Sequence, residues 1–131
     1  MRLSLIALSL LLAAPALAQD ATEGKDLYMS RCGGCHGMEA TGDGPMAGLI
    51  TIPVPDLTTL AVRNDGLFPR AEVVRSIDGR VNLLGHGGPM PVFGPLLGGD
   101  SAVLDGPDGA VIQTSGDVVA IALYLEGLQA Q

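Results

Sequence analysis

Both cysteines of this 131-residue chain and one of its two histidines fall in a single short stretch, Ser30-Arg-Cys-Gly-Gly-Cys-His-Gly37. No other stretch limits the fold as much, because two thiols this close beside an imidazole have few chemical uses. A Cys32–Cys35 disulfide closes so short a loop that it removes little chain entropy, and it would staple almost nothing. A redox-active thiol pair opens a helix after a strand, where the helix N-terminus lowers the thiol pKa. Here the pair follows a helical pattern with no strand before it. A structural zinc site takes four ligands. Cys32, Cys35, His36 and His86 could supply four, but two of them are adjacent in sequence.

The composition favours the fourth use. The chain has no Trp, two Phe and two Tyr, yet 19 Gly and nine Pro. Flat core fillers are nearly absent, and such a chain struggles to offset its ordering entropy. A planar cofactor would fill the middle. In Cys-x-x-Cys-His the two thiols add to the vinyl groups of haem and the neighbouring imidazole ligates its iron. Gly33 and Gly34 leave the porphyrin edge unobstructed. The expectation is one covalently attached haem c per chain, held by Cys32 and Cys35, with His36 as an axial iron ligand.

The first 18 residues, MRLSLIALSLLLAAPALA, have one basic residue, an apolar run and an Ala-Leu-Ala end, the pattern of a cleavable signal peptide. An uncleaved anchor is the alternative, but the run is short of the roughly 20 residues a spanning helix needs. Residues 19–131 are then a single exported, periplasmic domain with no membrane-spanning segment. All 14 acidic residues lie in that domain against six basic ones. This excess argues against nucleic acid as a partner, which needs basic clusters, and suits a partner with a basic surface.

Helical patterns recur between Gly/Pro-rich loops. Thr22 to Arg31 reads as a short helix capped by Thr22, with Gly24, Tyr28 and Cys32 on one face. A glycine there costs roughly 1 kcal/mol against alanine, which makes sense if another helix crosses closely. Residues 37–55 read as loop, and Asp56 can cap two turns. Pro69 to Asp78 reads as a helix with Val73, Val74 and Ile77 on one face and Gly79 past its end. The apolar ends flanking Asp-Gly-Pro-Asp-Gly at 105–109 suggest a small hairpin or an Ω-type loop. Val118, Ile121, Leu125 and Leu128 form the stripe of a last helix capped by Ser115 or Asp117.

The sixth iron position has five sequence candidates besides His36. Met29, Met38 and Met46 lie on the entering helix or close after the motif, and read as adaptable apolar filler. Met90 sits between Pro89 and Pro91, which restrict the backbone on both sides. It follows His36 by 54 residues, chain enough to reach the other side of a ring. His86 is the alternative ligand. A His/Met pair raises the iron's potential and leaves no open coordination site, which suits one-electron transfer.

Taken together, Gly24-x-x-x-Tyr28-x-x-x-CGGCHG, the GP of GDGPMAG, PDLTTLA at 55–61, MPVFG at 90–94 and AIALYLEGLQ at 120–129 resemble a class I c-type cytochrome. The resemblance implies an all-α cytochrome c fold, three to four short helices around one haem with long Gly/Pro-rich loops. It implies that Gly24 and Tyr28 meet Ile121 and Tyr124. It also implies a proline whose carbonyl accepts the haem histidine's second N–H, and Pro45 is the matching position. Charged side chains often ring the family's haem edge; here Lys25 is the one lysine, so a docking field would be negative. The family's tryptophan near a haem propionate is absent, leaving Arg63, Arg70 and Arg80 as candidate partners. The segment from Leu97 to Gly116 exceeds a minimal member. The implied function is an electron carrier between redox proteins, not an enzyme. The rivals are a subunit of a larger dehydrogenase or oxidase complex, and a haem enzyme or gas sensor with an open sixth site.

Overall fold

The structure, a computed structural model, describes residues 16–79, 90–105 and 109–130, and the side chains from residue 21 onward within them. Arg80, His86, Pro89, the hairpin tip at 106–108 and most of the expected leader lie outside the described residues.

The described residues contain four α-helices: α1 (Ala16–Arg31), α2 (Gly33–His36), α3 (Arg70–Asp78) and α4 (Gly116–Gly127). Two strands, β1 (Ser101–Asp105) and β2 (Val111–Ser115), pair antiparallel with Val103 opposite Gln113. The helices form because their apolar residues recur at helical spacing and can be buried together. Val73, Val74 and Ile77 of α3 and Val118, Ile121 and Leu125 of α4 form the core with Tyr28. Each such side chain contributes about 1.5–3 kcal/mol on full burial. Gly79 closes α3, its N–H donating to Arg75 O at 2.9 Å.

α1 begins at Ala16, so Thr22 lies inside the helix and not at its cap. The expected crossing partner of this helix is α4. A Cβ placed on Gly24 would overlap the Ala120 carbonyl and come 3.1 Å from Ile121 N. The glycine is therefore a contact point between two backbones, which explains the propensity it forgoes. One turn further on, the Tyr28 and Tyr124 rings meet at 5.3 Å between centroids, tilted by 48°. Such a pair adds about 0.5–1.5 kcal/mol beyond the area it buries.

The connections follow local chemistry. Asp56 caps the 3-10 turn at Leu57–Thr59, its carboxylate accepting from the Thr58 N–H at 2.8 Å and the Thr58 hydroxyl at 2.6 Å. Those hydrogen bonds hold the Asp56 carboxyl below its ordinary pKa. Gln129 bridges to the same region, donating to Leu57 O and accepting from Ala61 N–H, both at 2.9 Å. The hairpin lays Ile112 and Thr114 inward, packs on α3 and α4, and feeds directly into α4. Asp117 accepts from Gly98 N–H at 2.8 Å, which ties the start of α4 to the chain before the hairpin.

Candidate functional site

α1 passes almost without a break into the motif. Cys32 N–H donates to Tyr28 O at 2.7 Å, and the single turn of α2 then carries Cys35 and His36. The next loop folds back onto this turn. Gly44 N–H donates to Cys35 O at 3.1 Å and Met46 N–H to Gly34 O at 2.9 Å. A Cβ on Gly44 would come within 2.5 Å of both carbonyl oxygens, so only glycine allows the loop to lie this close. The chain then returns over the histidine, fixed by Leu57 N–H donating to Ala40 O at 2.8 Å.

These segments enclose an apolar cleft of about 190 Å³. Cys32, Cys35 and His36 form one wall, and Ile50, Ile52 and residues 53–55 form a second. Met90, Pro91 and Phe93 come from the segment after α3. That segment is fastened to the core by Phe93 N–H donating to Ile77 O at 3.1 Å. Met90 is half-buried and packs against the core. The cleft thus brings together four of the sequence-derived site residues: Cys32, Cys35, His36 and Met90.

Neither thiol is in a disulfide; Cys32 is buried and Cys35 half-buried. Burial, reinforced by the neighbouring Cys35, pushes the Cys32 thiol up to about 11. His36 is buried, and desolvation lowers its pKa against the opposing contact with Pro55. Its Nδ1 lies 3.4 Å from Pro55 O. With the proton on Nδ1 facing that carbonyl, Nε2 keeps its lone pair, the form a metal ligand must have.

The proline carbonyl in contact with the His36 ring is that of Pro55, not of Pro45. Both prolines are exposed; Pro45 lies in the loop before Met46, while Pro55 lies on the segment whose carbonyl faces the imidazole. Sequence reasoning tied the proline to the loop next to the motif and missed the return path, which depends on a backbone bond between residues 40 and 57. Arg31 was also missed: it lines the cleft, the one charged residue among its lining side chains. Its position immediately before Cys32 was the available signal. Arg70 instead pairs with Glu126, and Arg63 donates to the carbonyls of Asp56 and Thr59. Among the described residues, none from Leu97 to Gly116 lines the cleft, so the added hairpin supports α3 and α4 and not the site.

Of the other methionines, Met29 packs against the core as expected. Met38 and Met46 do not serve as core filler, since both are exposed. Among the described residues no helix is long and apolar enough to cross a membrane, and no group of three or more His, Cys, Asp or Glu residues could hold a metal ion.

The residues present fit a haem. Two unpaired thiols, a buried imidazole and a thioether share a mostly apolar cleft with Arg31 as its one charged lining residue, the donor set and lining such a group requires. Residues 21–129 match the family model for cytochrome c. No match was found among curated proteins or solved structures. With the match spanning nearly the whole described chain, this is a member of the cytochrome c family, a haem-binding electron-transfer protein.

Proposed function

We propose that the protein is an exported mono-haem carrier, made with a cleavable signal peptide at residues 1–18 and working in the periplasm. Cys32 and Cys35 would hold one haem covalently, and His36 and Met90 would ligate its iron. When bound, haem supplies one-electron Fe(II)/Fe(III) exchange. The observation that carries the reading is the single apolar cleft shared by Cys32, Cys35, His36 and Met90.

Each residue has a stated task. The cysteines fix position, and Gly33 and Gly34 between them add no bulk. Pro55 O holds the His36 ring in one orientation and tautomer and increases its donor strength. Ile50, Val54 and Phe93, each partly buried on the cleft wall, exclude water, which favours the less charged oxidation state. Met90 offers a soft thioether in the same cleft, and as an iron ligand it would leave no place for substrate. The chain is then a carrier and not an enzyme, with redox proteins as partners. A Met ligand also favours the reduced state over a second imidazole.

The test is the mass and extraction behaviour of protein expressed in a host with haem-attachment machinery. The expected mature mass is that of residues 19–131 plus one haem, with the pigment retained in acidic organic solvent. Pigment that extracts freely, or a Cys32→Ala, Cys35→Ala chain that keeps it, contradicts covalent attachment.

A further inference from the structure

We propose that the end of α3 and residues 92–94 form a clasp that confines Met90 to the cleft; the proposal rests on the carrier reading above. Asp78, Gly79 and Gly94 are then positioning residues for the sixth iron ligand. A thioether is a soft, uncharged ligand, so its hold on iron depends on how narrowly the chain fixes it beforehand. The residues next to Met90 do little of this fixing, since Pro91 is exposed and Val92 is 43 % exposed.

The hold comes from where the segment meets α3. Phe93 N–H donates to Ile77 O at 3.1 Å, and a glycine on each chain lets the two backbones close around that bond. Gly79 ends α3 with a φ of +72°, and a Cβ there would lie 2.5 Å from Val92 Cγ1. From the other side, a Cβ on Gly94 would overlap a carboxylate oxygen and the carbonyl oxygen of Asp78. Each chain omits a side chain where the other passes. Asp78 is 3 % exposed. A carboxylate is buried this deeply only where it is engaged, so its place against Gly94 is a fixed one.

Past the clasp the chain stays tied. Leu96 and Leu97 N–H both donate to Phe93 O, at 2.8 and 3.0 Å, and Leu97 is buried in the core. Gly98 N–H then donates to the Asp117 carboxylate at the start of α4. The segment that follows Met90 is thus fastened first to α3 and then to α4. Loosening the first tie frees Met90 while Cys32, Cys35 and His36 keep their places, because α1 and α2 carry them.

The test is cyanide binding to the oxidised, haem-loaded protein, in which cyanide takes the iron position that the thioether leaves and no electron moves. At saturating cyanide the rate reports how often Met90 lets go. Gly94→Ala is expected to bind several-fold faster than the parent and to lose the methionine–iron charge-transfer band at a lower temperature. Gly79→Ala is expected to act in the same direction. Adding Val92→Ala, which removes the methyl groups that the new Cβ meets, should return the rate part of the way. This pair carries the test where Gly94→Ala does not fold. Gly24→Ala, which strains the α1–α4 crossing instead, is expected to keep the parent's cyanide rate. Haem-loaded clasp variants that bind at the parent rate, or a Gly24→Ala chain that speeds equally, overturn the clasp alone. A parent chain that carries no haem, or that binds cyanide as fast as Met90→Ala does, overturns the clasp and the carrier reading together.

Discussion

The Tyr28 hydroxyl donates to the Gly37 carbonyl at 2.8 Å in a fully buried setting. Tyr28 belongs to the α1–α4 contact and Gly37 follows His36 directly, so one bond couples helix packing to the histidine's backbone. Burial raises the phenol's pKa, and the group therefore acts as a neutral donor at all physiological pH values. Tyr28→Phe keeps the ring contact with Tyr124 and leaves the buried Gly37 carbonyl without that partner. The expected cost is about 1–3 kcal/mol, read as a lower denaturant midpoint at unchanged slope.

Gly24→Ala tests the helix crossing. By propensity alone alanine should stabilise a helix by about 1 kcal/mol. Here its Cβ meets the Ala120 carbonyl, and overpacking of this kind costs about 1–3 kcal/mol or more. The net effect is destabilising, and thermal unfolding measures it. A stabilised variant would mean that α1 and α4 do not cross at this residue.

The haem-free chain has a pH window set by its site residues. His36 has a lowered pKa when folded, so between that value and the ordinary 6.5 the unfolded chain binds the extra proton. Its contribution is complete above 6.5 and is lost as pH falls through the folded value. Cys32 is raised from 9.0 to about 11, so both states stay protonated below 9. Between 9 and 11 the unfolded chain ionises first and stability falls. Urea titrations across pH should show both losses, with His36→Gln removing the acid one and Cys32→Ala the part of the alkaline one that begins near 9, while Tyr28 and Tyr124, both also raised, keep the part above 10.

Pro45 and Pro55 separate by potential. The Pro55 carbonyl increases the donor strength of His36, which stabilises the oxidised state. Pro55→Ala frees the backbone that aims this carbonyl, and the midpoint potential should rise. Pro45→Ala, at a position whose carbonyl is not the one facing His36, should leave it unchanged. Redox titration of both variants decides between them.

Where chemistry is local, sequence and structure coincide. The cap at Asp56, the end of α3 at Gly79 and the buried stripe of Val118, Ile121 and Leu125 all depend on neighbours within a turn or two. The Gly24 contact was also legible, because a costly glycine at helical spacing from a tyrosine implies a close partner. What was not legible depends on distant chain segments. The choice of Pro55 over Pro45 needed the path from Ala40 to Leu57, and the pairing of Arg70 needed Glu126 brought beside it from α4. The exposure of Met38 and Met46 follows from the loop folding flat onto Gly33 and Gly34, which no periodicity encodes.

The central claim is that His36 and Met90 ligate one haem iron, and the optical spectrum of the oxidised, haem-loaded protein tests it most directly. The parent should show the weak charge-transfer band of a methionine–iron bond, and Met90→Ala should lose that band, gain affinity for cyanide or CO, and keep its covalent haem. A Met90→Ala spectrum identical to the parent's would contradict the assignment and place the sixth ligand on another residue.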